Sequence, residues 1–122
     1  MRRWLPLVAL FLVAPVAAVA ATVNVSIFNF GFNPQSITVH TGDTVHWTNS
    51  SGFHTTTAGD GVWGSGNLNQ GQSFDHTFTA GQEGIHTYFC GIHGAGLMSG
   101  TVTVDATDVT RTTWQKIKNL YR

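Results

Sequence analysis

The 122-residue chain contains one cysteine, Cys90. No intrachain disulfide can form, so the disulfide-stabilised scaffolds of small exported domains are excluded. A structural zinc site of the usual kind is also excluded, because such sites use several cysteines. An unpaired thiol still requires an explanation, and a metal ligand is one explanation.

Charged side chains are scarce and unevenly distributed. They form 10% of the chain, and residues 21–104 carry no lysine or arginine. The acidic residues of that stretch are Asp43, Asp60, Asp75 and Glu83. A body of this charge is a poor nucleic-acid binder, so we expect no nucleic-acid partner. A solvated acidic surface and an acidic docking face for a basic partner both remain open.

The N-terminal segment lacks the long uninterrupted apolar run of a membrane-spanning helix. Met1-Arg2-Arg3 is followed by an uncharged stretch, Trp4–Ala20, which contains two prolines and ends in Ala-Val-Ala. This pattern predicts a signal peptide over residues 1–20, with cleavage after Ala20 or Ala21. The alternative is an uncleaved anchor, although the run is slightly short of the roughly 20 residues needed to span a bilayer. We expect a periplasmic or secreted protein, with the export route left open.

Short runs rich in β-branched and aromatic residues, separated by glycine-rich or polar turns, follow this segment. Such runs predict strands, and alternation at Val45 and Trp47 indicates one buried face. The predicted fold is an all-β Greek-key sandwich forming one domain, residues 21–104. The predicted strands are Thr22–Phe28, Ser36–His40, Thr44–Asn49, Ser73–Phe78, Gly84–Phe89 and Thr101–Val104.

The C-terminal tail, residues 105–122, differs in character from the domain. It gathers basic residues between Arg111 and Arg122, and helical spacing places four apolar side chains on one face: Trp114, Ile117, Leu120 and Tyr121. The tail is predicted to form a short amphipathic helix. Contact of Arg111–Arg122 with an anionic membrane or a partner is one reading. Packing on the chain's own domain, or fraying, is the other.

The most informative motif begins at the single cysteine. Cys90 ends a predicted strand, and His93 and Met98 follow within a short loop. His54, in a polar segment beyond another strand, is the best candidate for a fourth ligand. Two imidazoles, a thiolate and a thioether form the soft donor set typical of a blue-copper electron-transfer site.

Residues from about Phe30 to Val104 resemble the cupredoxins, and in particular the plastocyanin and pseudoazurin group. The resemblance rests on the Cys-x₂-His-x₄-Met loop, the Gly-Asp-Thr-Val-His-Trp segment Gly42–Trp47 and the upstream His54. It implies an eight-stranded Greek-key sandwich, one type 1 copper ion and single-electron transfer between larger redox proteins. The implied metal ligands are His54, Cys90, His93 and Met98.

The chain departs from the family pattern at three positions near the motif. Thr55 stands where the family often has the asparagine that braces the cysteine loop, and its hydroxyl is the expected substitute. Ile92 replaces a frequent proline, and Phe89 replaces a tyrosine of plant plastocyanins. We therefore expect electrons to leave through the His93 ring edge, with redox partners docking on an apolar rim of Ile92, Ala95 and Leu97.

Two function classes remain on sequence grounds. The first is a monomeric electron carrier that is not an enzyme, because copper enzymes of this type need additional histidine-rich sites. The second is a copper-binding protein for storage, delivery or sensing without redox turnover. The remaining histidines lie within strand patterns and are not expected to touch metal: His40, His46, His76 and His86.

Overall fold

The computed structural model describes residues 19–107 and residues 117, 118 and 120. The described domain is all-β, which confirms the predicted fold class. Its strands are β1 (Thr22–Phe28), β2 (Gly31–Asn33), β3 (Ser36–His40), β4 (Thr44–Asn49), β5 (Thr57–Ala58), β6 (Ser73–Thr77), β7 (Gly84–Phe89) and β8 (Ser99–Asp105).

The strands form two four-stranded sheets in the orders β2-β1-β4-β6 and β3-β8-β7-β5. Strand β1 runs parallel to β4, and β3 runs parallel to β8, while the other pairs are antiparallel. Strands β1, β4 and β7 therefore finish at one end of the sandwich, where β8 begins. We call this the metal end, and the four predicted ligands lie there.

The core lies between the sheets and is rich in aromatic side chains. Trp47 of β4 stacks on Trp63 at 5.3 Å between ring centroids and meets Tyr88 of β7 edge-on at 5.7 Å. The alternation predicted for β4 is confirmed, because Val45 and Trp47 are both fully buried. Gly100 of β8 provides the space for Tyr88, since a Cβ atom there would lie 2.6 Å from a carbon of that ring.

Four predicted strands have the observed bounds, and two others differ at their ends. Strand β6 ends at Thr77, one residue before the predicted end, and β8 extends to Ser99 and Asp105. Strands β2 and β5 were not predicted from the sequence. They contain three and two residues, which is too few to show an alternation of buried and exposed side chains. They are strands because they pair with β1 and β7.

The predicted signal peptide, apart from its last two residues, lies outside the described residues, as does most of the C-terminal tail. Ile117, Lys118 and Leu120 are helical, which agrees with the predicted short helix. Both apolar residues of this group are exposed. Within the described part of the chain, no helix has the length and hydrophobicity needed to cross a membrane.

Candidate metal centre

Cys90 is placed by the loop that joins β7 to β8. The Gly94 amide donates to the Cys90 carbonyl at 2.8 Å, and the Met98 amide donates to the Gly94 carbonyl at 3.1 Å. The Cys90 amide in turn donates to the Met98 carbonyl at 3.1 Å. Gly94 has φ +84°, a conformation that favours glycine. These bonds fold the loop back on itself, so both of its ends lie at the metal end.

His54 reaches the same place from the segment between β4 and β5. Its backbone pairs with Leu68, with N–O distances of 3.1 Å and 2.7 Å in the two directions. The residue is fully buried, as is Cys90. The two backbone hydrogen bonds with Leu68 thus hold this irregular segment at the residue whose imidazole enters the interior.

Three of the predicted ligands converge on one point. Cys90 Sγ lies 3.3 Å from His93 Nδ1 and 3.7 Å from His54 Nδ1. The two Nδ1 atoms are 3.3 Å apart. Among the described residues, these three form the one group of three or more histidine, cysteine or acidic side chains whose ligand atoms lie close enough to share an ion.

The donor triangle has the size that a first-row transition metal requires. Metal–nitrogen and metal–sulfur bonds of about 2.0–2.3 Å, at tetrahedral or wider angles, place ligand atoms roughly 3.3–3.7 Å apart. The observed separations fall in this range. A thiolate with two imidazoles selects copper among the common ions when a thioether lies nearby. The residues present therefore fit a type 1 copper ion.

The outer nitrogen of His54 has its own partner. Its Nε2 lies 2.8 Å from the side-chain oxygen of Asn29, in the turn between β1 and β2. Burial lowers the pKa of His54 below its ordinary value, the Ser51 backbone opposes this shift, and His93 adds to it. The neutral ring is therefore favoured. With a proton on Nε2, the Nδ1 lone pair faces Cys90 and His93.

Thr55 braces the cysteine loop, as predicted for this departure from the family pattern. Its hydroxyl accepts a hydrogen bond from the Gly91 amide at 2.7 Å, and the Thr57 hydroxyl lies 2.9 Å away. The Thr55 amide also points at Cys90 Sγ, at 3.4 Å. This N–H donor holds the sulfur in place from the side of the His54 segment. Thr55 thus links the segment of His54 to the loop of Cys90.

Met98 completes the predicted set from the far end of the loop. It is buried, with 1% of its surface exposed, and its backbone bonds directly to that of Cys90. A buried thioether next to a histidine–thiolate group is available as a weak fourth donor.

Apolar side chains surround the half-buried His93 on the surface. Ile92 and Leu97 are 45% and 59% exposed, and Ala95 is also exposed. Two phenylalanines that sequence reasoning did not assign to this rim, Phe28 and Phe30, are exposed as well and line one cavity with Leu97. The Phe30 ring meets that of His93 edge-on at 5.0 Å.

The other histidines have different partners. His46 pairs with Asp75, His86 pairs with Asp60, and His40 Nδ1 lies 3.8 Å from a carboxylate oxygen of Asp43. His76 Nε2 lies 3.3 Å from the side-chain oxygen of Gln82. None of these four belongs to the ligand group of His54, Cys90 and His93.

Comparison with protein families gives a match that covers most of the chain. The model of the cupredoxin-like domain matches residues 4–104. The chain belongs to the cupredoxin family. A comparison with curated protein sequences found no significant match.

Solved structures share the fold of this cupredoxin. A purple cupredoxin from Nitrosopumilus maritimus is 28% identical over 68% of this chain and 99% of its own, with a TM-score of 0.58. A reduced Cu(I) form of an amicyanin variant is 27% identical over 69% of this chain and 82% of its own, with a TM-score of 0.61. The copper-containing nitrite reductase of Thermus scotoductus SA-01 is 24% identical, with a TM-score of 0.61 over 69% of this chain. This cupredoxin spans 22% of that enzyme's length, so the likeness to it shows the fold alone.

The fold and the donor set together match one type 1 copper ion and a copper electron-transfer protein in general. Sequence reasoning missed Asn29 and the phenylalanines of the rim. These residues lie in or beside turns, where no periodic pattern marks them. Only the strand pairing of β1 with β2 and β4 brings Asn29 and Phe30 to the site.

Proposed function

We propose that this cupredoxin is a mobile carrier of single electrons between larger redox proteins. In this proposal His54 Nδ1, Cys90 Sγ and His93 Nδ1 would hold one copper ion, and the Met98 thioether would be a weak fourth donor. The convergence of three donor atoms within 3.3–3.7 Å carries the proposal. Bound copper would supply a one-electron couple.

The surrounding chain suits a site that keeps its ion. His54, Cys90 and Met98 are buried, which excludes water and chelating groups from three sides. Both loops are cross-linked by the bonds of Thr55, so little rearrangement of the donors is expected when the charge of the site changes. An enclosed, braced site favours electron transfer over copper storage, delivery or sensing, because transfer of the ion needs an open side.

His93 provides the proposed route for the electron. It is the least buried of the four residues and lies within the rim of exposed apolar side chains. Next to this rim, a cavity of about 340 Å³ opens beside Leu97, between the turn of Phe30 and the loop at Gly96. We propose that redox partners dock here through an apolar surface.

Three acidic side chains of the domain lie away from this rim. Asp43 precedes β4, Glu83 precedes β7 and Asp105 ends β8, and all three positions are at the end opposite the metal. Docking at an uncharged rim is brief and depends little on salt, since exposed charges beyond about 10 Å are largely screened at moderate ionic strength. This suits a carrier that must release its partner quickly.

Location and assembly complete the proposal. The predicted signal peptide over residues 1–20 supports a periplasmic or secreted protein. We propose a monomer, because an apolar rim used for transient docking must stay accessible. The basic segment Arg111–Arg122 lies largely outside the described residues, and its contact with a membrane or a partner remains a prediction.

The decisive experiment is the visible absorption spectrum of the purified protein with one equivalent of Cu(II), followed by reduction and reoxidation. An intense blue band that bleaches and returns is expected for thiolate-bound copper. The variant His54→Ala should lose the band, whereas the matched variant His46→Ala should keep it. A colourless wild-type protein, or one that loses copper rapidly to a chelator, would favour the storage and delivery alternative.

A further inference from the structure

The turn between β1 and β2 contacts both histidines of the candidate site with two adjacent residues. Asn29 places its side-chain oxygen 2.8 Å from His54 Nε2. Phe30 places its ring edge-on to His93, with 5.0 Å between ring centroids. A surface turn distant in sequence from the ligands therefore covers the outer side of both imidazoles.

We propose that Asn29 is a positioning residue that fixes the tautomer and orientation of His54. The inference rests on the proposed copper site. A histidine can ligate through Nδ1 only when its proton is on Nε2, and that proton needs an acceptor because His54 is fully buried. The Asn29 oxygen is placed to accept it, which leaves the Nδ1 lone pair directed at Cys90 and His93.

The neighbouring segment is shaped around this hydrogen bond. The backbone N–H of Asn29 donates to the Ser51 hydroxyl at 3.2 Å, and this bond connects the turn to the segment before His54. Gly52 has φ +81°, and a Cβ atom there would lie 2.3 Å from the Asn29 oxygen and 2.9 Å from His54 Nε2. Only a residue without a side chain leaves room for the contact.

The contact has a chemical consequence for the ligand. An acceptor on the outer nitrogen raises the basicity of a ligating imidazole, and such partners typically change metal affinity by about 10–100-fold. A more basic imidazole stabilises Cu(II) more than Cu(I). Asn29 thus lowers the reduction potential of the site, although it touches neither the metal position nor Cys90.

The test uses three variants of the full chain: Asn29→Ala, Asn29→Asp and the control Asn24→Ala. Asn24 is exposed on β1, the strand that leads into the turn of Asn29, five residues earlier in the sequence. Asn29→Ala removes the acceptor. Asn29→Asp keeps an oxygen at the same distance from the backbone and adds negative charge. The Ser51 backbone also forms a hydrogen bond with the His54 ring. The test therefore depends on the opposite effects expected for Asn29→Ala and Asn29→Asp.

Three measurements separate positioning from packing. Chelator competition should show that Asn29→Ala weakens Cu(II) binding by roughly 10–100-fold, while Asn29→Asp and Asn24→Ala retain it. Voltammetry should show a raised potential for Asn29→Ala and a lowered one for Asn29→Asp. Nuclear magnetic resonance of the reduced protein should show faster solvent exchange of the His54 Nε2 proton in Asn29→Ala alone.

Equal potentials and equal proton exchange in wild type and both Asn29 variants would overturn the inference, even if Asn29→Ala lowered stability. That result would leave the proposed function intact as long as the wild type and Asn24→Ala remain blue and redox-active. Failure of the wild type to form the blue site would instead refute the proposed function itself.

Discussion

Two regions of the molecule hold a buried imidazole and use it in opposite ways. At the metal end, His54 is fully buried and directs one nitrogen at Cys90 and His93, with no carboxylate in contact. Beside β7, His86 is nearly as buried. Its Nδ1 lies 2.5 Å from the Asp60 carboxylate, and its Nε2 lies 2.6 Å from the Gln82 carbonyl. We call this second region the His86 cluster.

The difference shows that the partners of a histidine, and not its burial, decide whether it can bind a metal. Oxygen atoms of Asp60 and Gln82 lie 2.5 and 2.6 Å from the two ring nitrogens of His86, so neither nitrogen faces an open space where an ion could bind. His54 donates on one side only and keeps a lone pair on the other. The His86 cluster accordingly fastens the loop of Asp60 to β7, whereas the metal end gathers donors around one point.

The largest effect should come from removing the thiol. Cys90→Ala deletes the sulfur that gives a type 1 site its intense absorption, so the blue band of the copper-loaded protein should disappear. Absorption spectroscopy checks this result. The control is His86→Leu, which should keep the full band. A band that survives in Cys90→Ala would show that the colour has another origin.

His86→Leu should act on stability instead. It removes the hydrogen bonds between His86 and the Gln82 carbonyl and Asp60 carboxylate, and a hydrogen bond of this kind contributes about 0.5–1.5 kcal/mol. The free energy of unfolding of the metal-free protein, measured with urea at neutral pH, should fall by about this amount. An unchanged value would mean that the hydrogen bonds of His86 make no net contribution.

Leu97→Glu should slow electron exchange with a redox partner. A charge in the middle of the apolar rim opposes desolvation on docking, and loss of one central apolar contact costs roughly tenfold in affinity, about 1.4 kcal/mol. The matched control is Ile85→Glu, because Ile85 is 73% exposed and directly precedes His86. Stopped-flow rates should separate the two variants. Equal slowing in both would place docking elsewhere.

Met98→Gln should lower the reduction potential while the blue site persists. The harder amide oxygen stabilises Cu(II) relative to Cu(I), so the shift is downward. Voltammetry measures it, and the His86→Leu protein serves as a control with little expected change. An unshifted potential would show that Met98 is not a ligand.

Asp60→Asn should have the smallest effect, and its size should depend on pH. Burial raises the pKa of Asp60, but hydrogen bonds from His86 and the Val62 amide outweigh it, so the pKa lies below its ordinary value of 3.8. A lowered carboxyl pKa stabilises the fold above the unfolded pKa, and this contribution is lost as the pH falls through the folded pKa.

Because Asp60 is largely exposed, the wild type should exceed Asp60→Asn by only about 0.2–1 kcal/mol at neutral pH. Urea unfolding of both metal-free proteins at neutral pH and near pH 3 measures the difference. It should shrink towards zero in acid. If the difference in free energy of unfolding were the same at both pH values, the charge of Asp60 would not be its cause.

The sequence predicted the fold well where strands are long enough to show their alternation. Strands β1, β3, β4 and β7 have their predicted bounds, and β6 and β8 were predicted with different ends. The grouping of Cys90 with His93 was predictable from their separation in one short loop. His54 was a choice among several histidines, and Leu68, which holds its backbone, carries no motif.

Contacts made by side chains across turns could not be predicted. Asn29 meets His54 because the β1–β2 turn and the end of β4 are neighbours in the sheet, a relation fixed by pairing rather than by local pattern. The bond between Asp60 and His86 depends in the same way on β5 lying next to β7. The sequence indicates only that Asp60 lies in a turn, where its carboxylate also accepts from the Val62 amide at 3.2 Å.

The parallel pairing of β3 with β8 has a consequence for the newly made chain. Strand β8 lies between β3 and β7 in its sheet. Neither β3 nor β7 can pair with β8 until Ser99–Asp105 has been synthesised. Residues 36–105 must therefore leave the ribosome before this half of the sandwich can close. Strand pairing over such a separation is slow, and the waiting chain exposes unpaired strand edges.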